Sequence, residues 1–294
     1  MDTLVSRRPA RWHPPPHLYF VGSAIFHYLG PSFAVLLFAV VPVAGVAWLR
    51  IVSAGLVFAV WRRPWRIFAH SDAATRRLII GLGAVFAVMN YSFYLAIDAL
   101  PLGTVAAIEF VGPIVLAVAG SRTLRNVAAV ALAMGGVWLL TDVRLEGSAA
   151  GFAWAFVNAA LFTAYIVLAH RLAGVAAGTS PIDRLGASML VAAVVITPLG
   201  IASALPAMTN VVALAAGIGV GISSSVIPYV LDQLAMRRLP RETYSLFVAL
   251  LPATAVVVGL IVLRQVPTPV EVAGVALVIV GVVLHREARA QGEP

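Results

Sequence analysis

Glu109 is a carboxylate inside a long apolar run, and that position makes it chemically costly. Counted from Leu102 at about 1.5 Å per residue, it lies roughly 10 Å along a helix. A carboxylate at such depth in lipid costs at least about 2.5–3.5 kcal/mol unless paired, neutralised or wetted. Arg50 sits six residues into a different apolar run, at a similar depth. Two chemistries fit these residues. In one, Glu109 faces a cavity, binding an ammonium group or taking a proton, with Arg50 helping to anchor the charged end of the same ligand. In the other, Arg50 and Glu109 form a structural ion pair that holds two helices together.

Further polar and aromatic groups recur at helical spacing. Asn90 and Tyr94 are four residues apart and share a helix face, with Tyr91 one turn before Tyr94. At mid-span they line a cavity or bond across helices. Trp154, Asn158, Phe162 and Tyr165 form a second stripe, spaced four, four and three. Such a face suits a small side chain as a binding wall, or plain packing. His27 stands in mid-span, as a proton relay or as a neutral hydrogen-bonding group. Around Gly217, Gly221 and Ser225 a small-residue seam allows close helix approach, and Pro228 and Tyr229 follow it. Pro228 removes a backbone hydrogen bond and can kink or open the helix.

These residues need helices to carry them. Hydrophobic residues make up 61% and charged ones 11%, with a mean hydropathy of +0.98. A soluble domain carries roughly 25% charged residues, so this is an all-α polytopic membrane protein. Ten apolar segments can be laid out, at 17–40, 44–61, 77–99, 102–121, 126–141, 149–170, 182–204, 210–236, 243–263 and 270–286. The net charge of +8 comes wholly from arginine, since there is no lysine. With the N-terminus inside, seventeen arginines fall in inner loops and tails, against Arg144 and Arg264 outside. That asymmetry puts both termini in the cytoplasm.

A repeat fixes the relation between the halves. Leu95-Ala96-Ile97-Asp98-Ala99-Leu100-Pro101 matches Leu234-Ala235-Met236-Arg237-Arg238-Leu239-Pro240 at an offset of 139 residues, and Pro113 and Pro252 follow at equal distances. Five spans separate the copies, so they insert in opposite directions. The expected domains are a tail 1–16, a first five-helix repeat 17–141, a second, inverted five-helix repeat 149–286, and a tail 287–294. Inverted repeats of this kind are a transporter signature, with sites at the midplane between repeats. Pro113, Pro252 and Pro228 are then candidate hinges. Glu109 has no charged counterpart, because Val248 occupies its place in the second copy.

The segment Met89-Asn90-Tyr91-Ser92-Phe93-Tyr94-Leu95-Ala96-Ile97, with Leu100-Pro101-Leu102-Gly103 and Ile108-Glu109-Phe110-Val111-Gly112-Pro113, is similar to the ten-span amino-acid exporters of the drug/metabolite transporter superfamily. It most resembles the threonine/homoserine branch of the EamA-type proteins. Arg50 and Arg63-Pro64-Trp65-Arg66 resemble that branch too. Where it tends to carry a tryptophan in the sixth span, this chain has Phe162. The resemblance implies export of a small zwitterion across a bacterial inner membrane.

Other classes lack their residues. There is no cysteine, no glycine-rich phosphate loop, no histidine pair at metal spacing and no serine with a nearby base. No cofactor, no metal and no enzyme activity are expected. Nucleic acid is excluded as a partner because the arginines sit in short loops between apolar spans. The expected partners are an amino acid and the lipid bilayer, the expected state is a monomer, and transport is uniport or proton-coupled. The rivals are an exporter of cationic drugs or other metabolites and a non-transporting membrane scaffold. The substrate-binding set expected is Asn90, Tyr91, Tyr94, Glu109, Trp154, Asn158, Phe162, Tyr229 and His27, with Arg50.

Overall fold

The computed structural model describes residues 15–113, 115, 123–142, 149–175, 179–236, 238 and 250–284. Among them every regular element is a helix: α1 (Pro16–Leu37), α2 (Val43–Arg62), α3 (Trp65–His70), α4 (Ala73–Ala99), α5 (Leu102–Glu109), α6 (Leu124–Asp142), α7 (Ala149–Val175), α8 (Pro181–Met208), α9 (Val211–Gly221), α10 (Ile227–Met236), α11 (Leu251–Leu263) and α12 (Pro269–Leu284). A π-helical turn, Ile222–Val226, joins α9 to α10 without a break. Among the described residues six helical stretches are long and apolar enough to cross a membrane, and four are shorter apolar helices. The arginines beyond residue 284, the Arg122 and Arg144 loops, Pro240 and Val248 lie outside the described residues.

Local chemistry sets several helix ends. The Asp72 carboxylate accepts from the Thr75 N–H at 2.9 Å and starts α4. Asn210 accepts from Val212 and Ala213 N–H groups and starts α9. At α12, Thr268 and Glu271 form a reciprocal capping box, the Thr268 N–H donating to Glu271 Oε2 at 2.8 Å. Arg63 closes α2 in the left-handed region, at φ 48°, directly before Pro64. The short helix α3 follows.

The principal helix pairs are α2 with α8, α6 with α12, α4 with α7 and with α8, and α5 with α7 and with α11. To these α1 adds contacts with α10 and α11, and α2 with α9. Exchanging each helix for its counterpart in the two repeats expected from the sequence maps these pairs onto themselves. Under that exchange α4–α7 becomes α10–α1, α4–α8 becomes α9–α2, and α5–α7 becomes α11–α1. One ion pair ties the α2 end to the α8 start, Arg62 Nε to Asp183 Oδ1 at 2.6 Å.

The exterior is apolar. Leu56, Val60, Val194, Leu205 and Ile261 are all at least 60% exposed. Such a surface is unsuited to water and suited to lipid. Trp61, Trp65 and Trp138 are exposed as well, in keeping with aromatic belts. The Trp48 indole N–H instead donates to Thr197 Oγ1 on α8 at 3.1 Å.

Candidate functional site

At the bundle centre a cavity of about 30 Å³ is lined by His27, Pro31, Arg50, Met89, Asn90, Phe93, Glu109, Asn158, Phe162 and Tyr229. Six helices contribute: α1, α2, α4, α5, α7 and α10. Of the residues singled out in the sequence, His27, Arg50, Asn90, Glu109, Asn158, Phe162 and Tyr229 meet here. A volume of that size holds roughly one water-sized group. An amino acid therefore enters only if the helices part.

Arg50 is 3% exposed, an uncommon state for a guanidinium. The π-turn holds it. Arg50 Nε donates to Ser225 Oγ at 3.0 Å, and Nη2 donates to the Ser224 carbonyl at 3.3 Å. Pro228 explains why that carbonyl is offered. Having no N–H, Pro228 cannot make the α-helical bond to the residue four before it, which is Ser224. Gly221 and Gly30 let the turn come close enough. A Cβ on Gly221 would strike Ser53 and the Arg50 backbone, and one on Gly30 would strike Ser223 and Ser224. The Tyr94 ring lies under the guanidinium, 5.2 Å from Cζ to the centroid. After these contacts Arg50 Nη1 remains without a hydrogen-bond partner.

Glu109 ends α5. Pro113 cannot donate to the Glu109 carbonyl, so the regular helix stops there and the chain turns at Phe110. The Glu109 side chain is 8% exposed, and Oε1 accepts from Asn158 Nδ2 at 3.1 Å. Since a carboxylate can only accept, this bond orients the amide and leaves Asn158 Oδ1 as a buried acceptor with no partner.

The expected Arg50–Glu109 ion pair is not formed. Arg62 and Asp183 do form one, at 2.6 Å. The physical reason is that each charge is held from its own side: Arg50 by serines of the π-turn, Glu109 by Asn158 on α7. Three other expected residues lie off the cavity. Tyr94 is fully buried and supports Arg50, Tyr91 packs between two core clusters, and Trp154 on α7 is 37% exposed. Asn90 lines the cavity while its Nδ2 donates back to the Phe86 carbonyl at 2.8 Å.

Aromatic rings close the remaining walls. His27 meets Tyr229 edge-on at 5.9 Å, and Phe162 stacks on Tyr165 at 6.3 Å with planes 8° apart. Ser224, Ser225, Pro31, Met89 and Phe93 were not among the expected site residues. Three of these had a readable signal: Ser224 and Ser225 belong to a serine run just before a mid-span proline that frees a carbonyl, and Pro31 is a proline inside α1.

A second, larger cavity of about 360 Å³ lies at one end of the bundle. The α4–α5 turn and the α11–α12 loop wall it, with Asp98, Thr104, Gln265 and Glu271 as polar lining. Gln265 Oε1 accepts from the Leu102 N–H at 3.1 Å and so caps α5, while Glu271 serves the α12 capping box.

Comparison with known proteins bears on what the central cavity serves. The model of the EamA-like transporter family matches residues 149–286. The threonine/homoserine exporter RhtA of Escherichia coli K12 is 32% identical over 254 residues, covering 85% of this chain and 84% of that protein. RhtA of Salmonella typhimurium LT2 is 32% identical over 253 residues, with the same coverage. A crystal structure of a further protein superposes with a TM-score of 0.54 at 18% identity, over 92% of this chain and 95% of the other, which shows a shared fold. An all-helical bundle with an apolar exterior and likeness to RhtA along most of its length is a multi-pass membrane protein, and it belongs to the EamA-like transporter family of the drug/metabolite transporter superfamily.

Proposed function

We propose that this chain exports amino acids from a bacterial cytoplasm as a secondary transporter. The observation that carries this reading is a buried cation and a buried anion that line one cavity with no salt bridge between them. A zwitterion supplies both missing partners, whereas a cationic drug would meet Arg50 as a repelling charge. Likeness to the threonine/homoserine exporter RhtA supports the same substrate class.

Ten spans, in two inverted halves with both termini inside, fit the helix pairing that survives exchange of the halves. Alternating access then follows by rocking one half against the other. Pro113 and Pro252, which stand beside chain turns at Phe110 and Leu250, are its hinges, and Pro228 is a third. Uniport down an outward gradient needs no coupling ion and is the simpler mechanism for a site whose carboxylate is already bonded to Asn158. No catalytic step is involved.

Counterflow of each of the twenty amino acids in proteoliposomes tests the reading. Exchange of one or a few small amino acids is expected, and exchange of none sinks it. Repeating the flux with an imposed pH gradient tests uniport. A strong acceleration that Glu109→Gln abolishes would replace uniport by proton coupling.

A further inference from the structure

The central cavity also carries a direction. We infer that the amino acid binds in one polarity, with its carboxylate on Arg50 at the π-turn and its ammonium on Glu109 and Asn158. This rests on the amino-acid reading above and adds which end goes where and what aims the cation.

Two buried polar atoms on this cavity's residues have no partner, and they are of opposite kind. Arg50 Nη1 is a charged donor left over after Nε and Nη2 are used. Asn158 Oδ1 is an acceptor left over after Nδ2 is used on Glu109. A buried polar group left unsatisfied is unfavourable, so each awaits a complementary group. A carboxylate offers only acceptors and satisfies Nη1. An ammonium offers only donors and satisfies Asn158 Oδ1 together with the Glu109 carboxylate. The reverse polarity would set carboxylate against carboxylate and ammonium against guanidinium.

The π-turn is what makes Arg50 selective rather than merely cationic. Bonds at Nε and Nη2 fix the guanidinium plane, so the remaining nitrogen points one way. Lysine has a single flexible head and could not reproduce this. Pro228 is thus a positioning residue. Its missing N–H leaves the Ser224 carbonyl to Arg50, and a residue with an N–H would compete for it.

The test uses the full chain in proteoliposomes, with counterflow of labelled L-threonine as the probe. Two competitors each lack one end: L-threoninol keeps the ammonium, and 3-hydroxybutanoate keeps the carboxylate. With the unaltered protein, each should compete at least about tenfold more weakly than L-threonine, the effect of one lost charge-assisted bond. Arg50→Gln should erase the gap between L-threonine and L-threoninol and keep the gap to 3-hydroxybutanoate. Glu109→Gln should do the opposite. Pro228→Ala should raise the KM for L-threonine without changing that for L-threoninol, a split that a purely structural role would not produce. If Arg50→Gln does not reconstitute, Ser225→Ala replaces it and must weaken L-threonine while sparing L-threoninol. The reversed pattern, or equal loss against both competitors in each variant, overturns the polarity. If L-threonine does not exchange but another amino acid does, that amino acid with its alcohol and its deaminated acid takes the same three places. No exchange by any amino acid would bring down the transport reading itself, which the competitor pattern does not touch.

Discussion

The two cavities differ most in what their polar groups are doing. The end cavity is about twelve times larger, at about 360 against 30 Å³, yet Gln265 and Glu271 are occupied in capping helices. The central cavity is barely open, and Arg50 and Asn158 each keep an atom unsatisfied there. Volume records where helix ends splay apart. Unsatisfied buried donors and acceptors record where something else is expected to bind. For a protein that must alternate between shapes, the second signal is the better guide, because a site can be nearly closed in any one conformation.

Charge removal gives the largest contrast. Glu109→Gln and Arg50→Gln should each lower amino-acid flux at least about tenfold, while Asp98→Asn at the end cavity should leave flux within about twofold. Flux measured on the three variants at equal protein density checks this, and a severe loss in Asp98→Asn alone would invert the roles of the cavities. Next comes shape. Phe162→Trp inserts a larger ring into a cavity of about 30 Å³ and should change the KM several-fold without unfolding the protein. A comparison of KM values across small and branched amino acids would show whether the wall at Phe162 contacts the solute. A KM unchanged for all of them would remove Phe162 from the site.

Smaller effects separate structure from transport. Glu271→Ala deletes one arm of the α12 capping box and should cost about 1 kcal/mol of stability, with transport constants unaltered. Thermal denaturation in detergent beside a flux assay decides that case. The smallest change is expected outside both cavities. Bonds from the Thr75 hydroxyl and N–H hold the Asp72 carboxyl below its usual range. A depressed folded-state pKa stabilises above the unfolded value of about 3.9 and loses that contribution as pH falls through the folded value. Asp72→Asn should therefore be slightly less stable than the unaltered protein at neutral pH, and the difference should vanish in acid. A difference that persists at low pH would assign the effect to something other than this carboxylate.

Much of the central cavity was legible in the residues themselves. A lone carboxylate in an apolar run is costly enough to point at Glu109, and spacings of four placed Asn90 on a face with Tyr94, and Asn158 with Phe162. Spacing places residues on a face without saying which face looks inward. That is why Tyr94 turned out to support Arg50, and why Trp154 lies at the exterior although it shares a stripe with Asn158. Likewise, equal depth suggested that Arg50 and Glu109 pair. Depth is one coordinate, and in the structure Arg50 is bonded to the π-turn while Glu109 is bonded to α7.

Composition and periodicity by themselves determined an all-helical membrane chain, the position of the apolar helices and the residues too polar to face lipid. Those follow from the high cost of burying charge and unpaired backbone groups in hydrocarbon, which each residue meets independently of its neighbours. Only the tertiary structure decided which of the polar residues share a cavity and which bonds remain unmade. Those properties depend on helices far apart in sequence: Arg50 on α2 meets the turn freed by Pro228, and Glu109 on α5 meets Asn158 on α7. The chemistry of the site is a property of contacts between helices, and no local pattern encodes the atom left over when those contacts are complete.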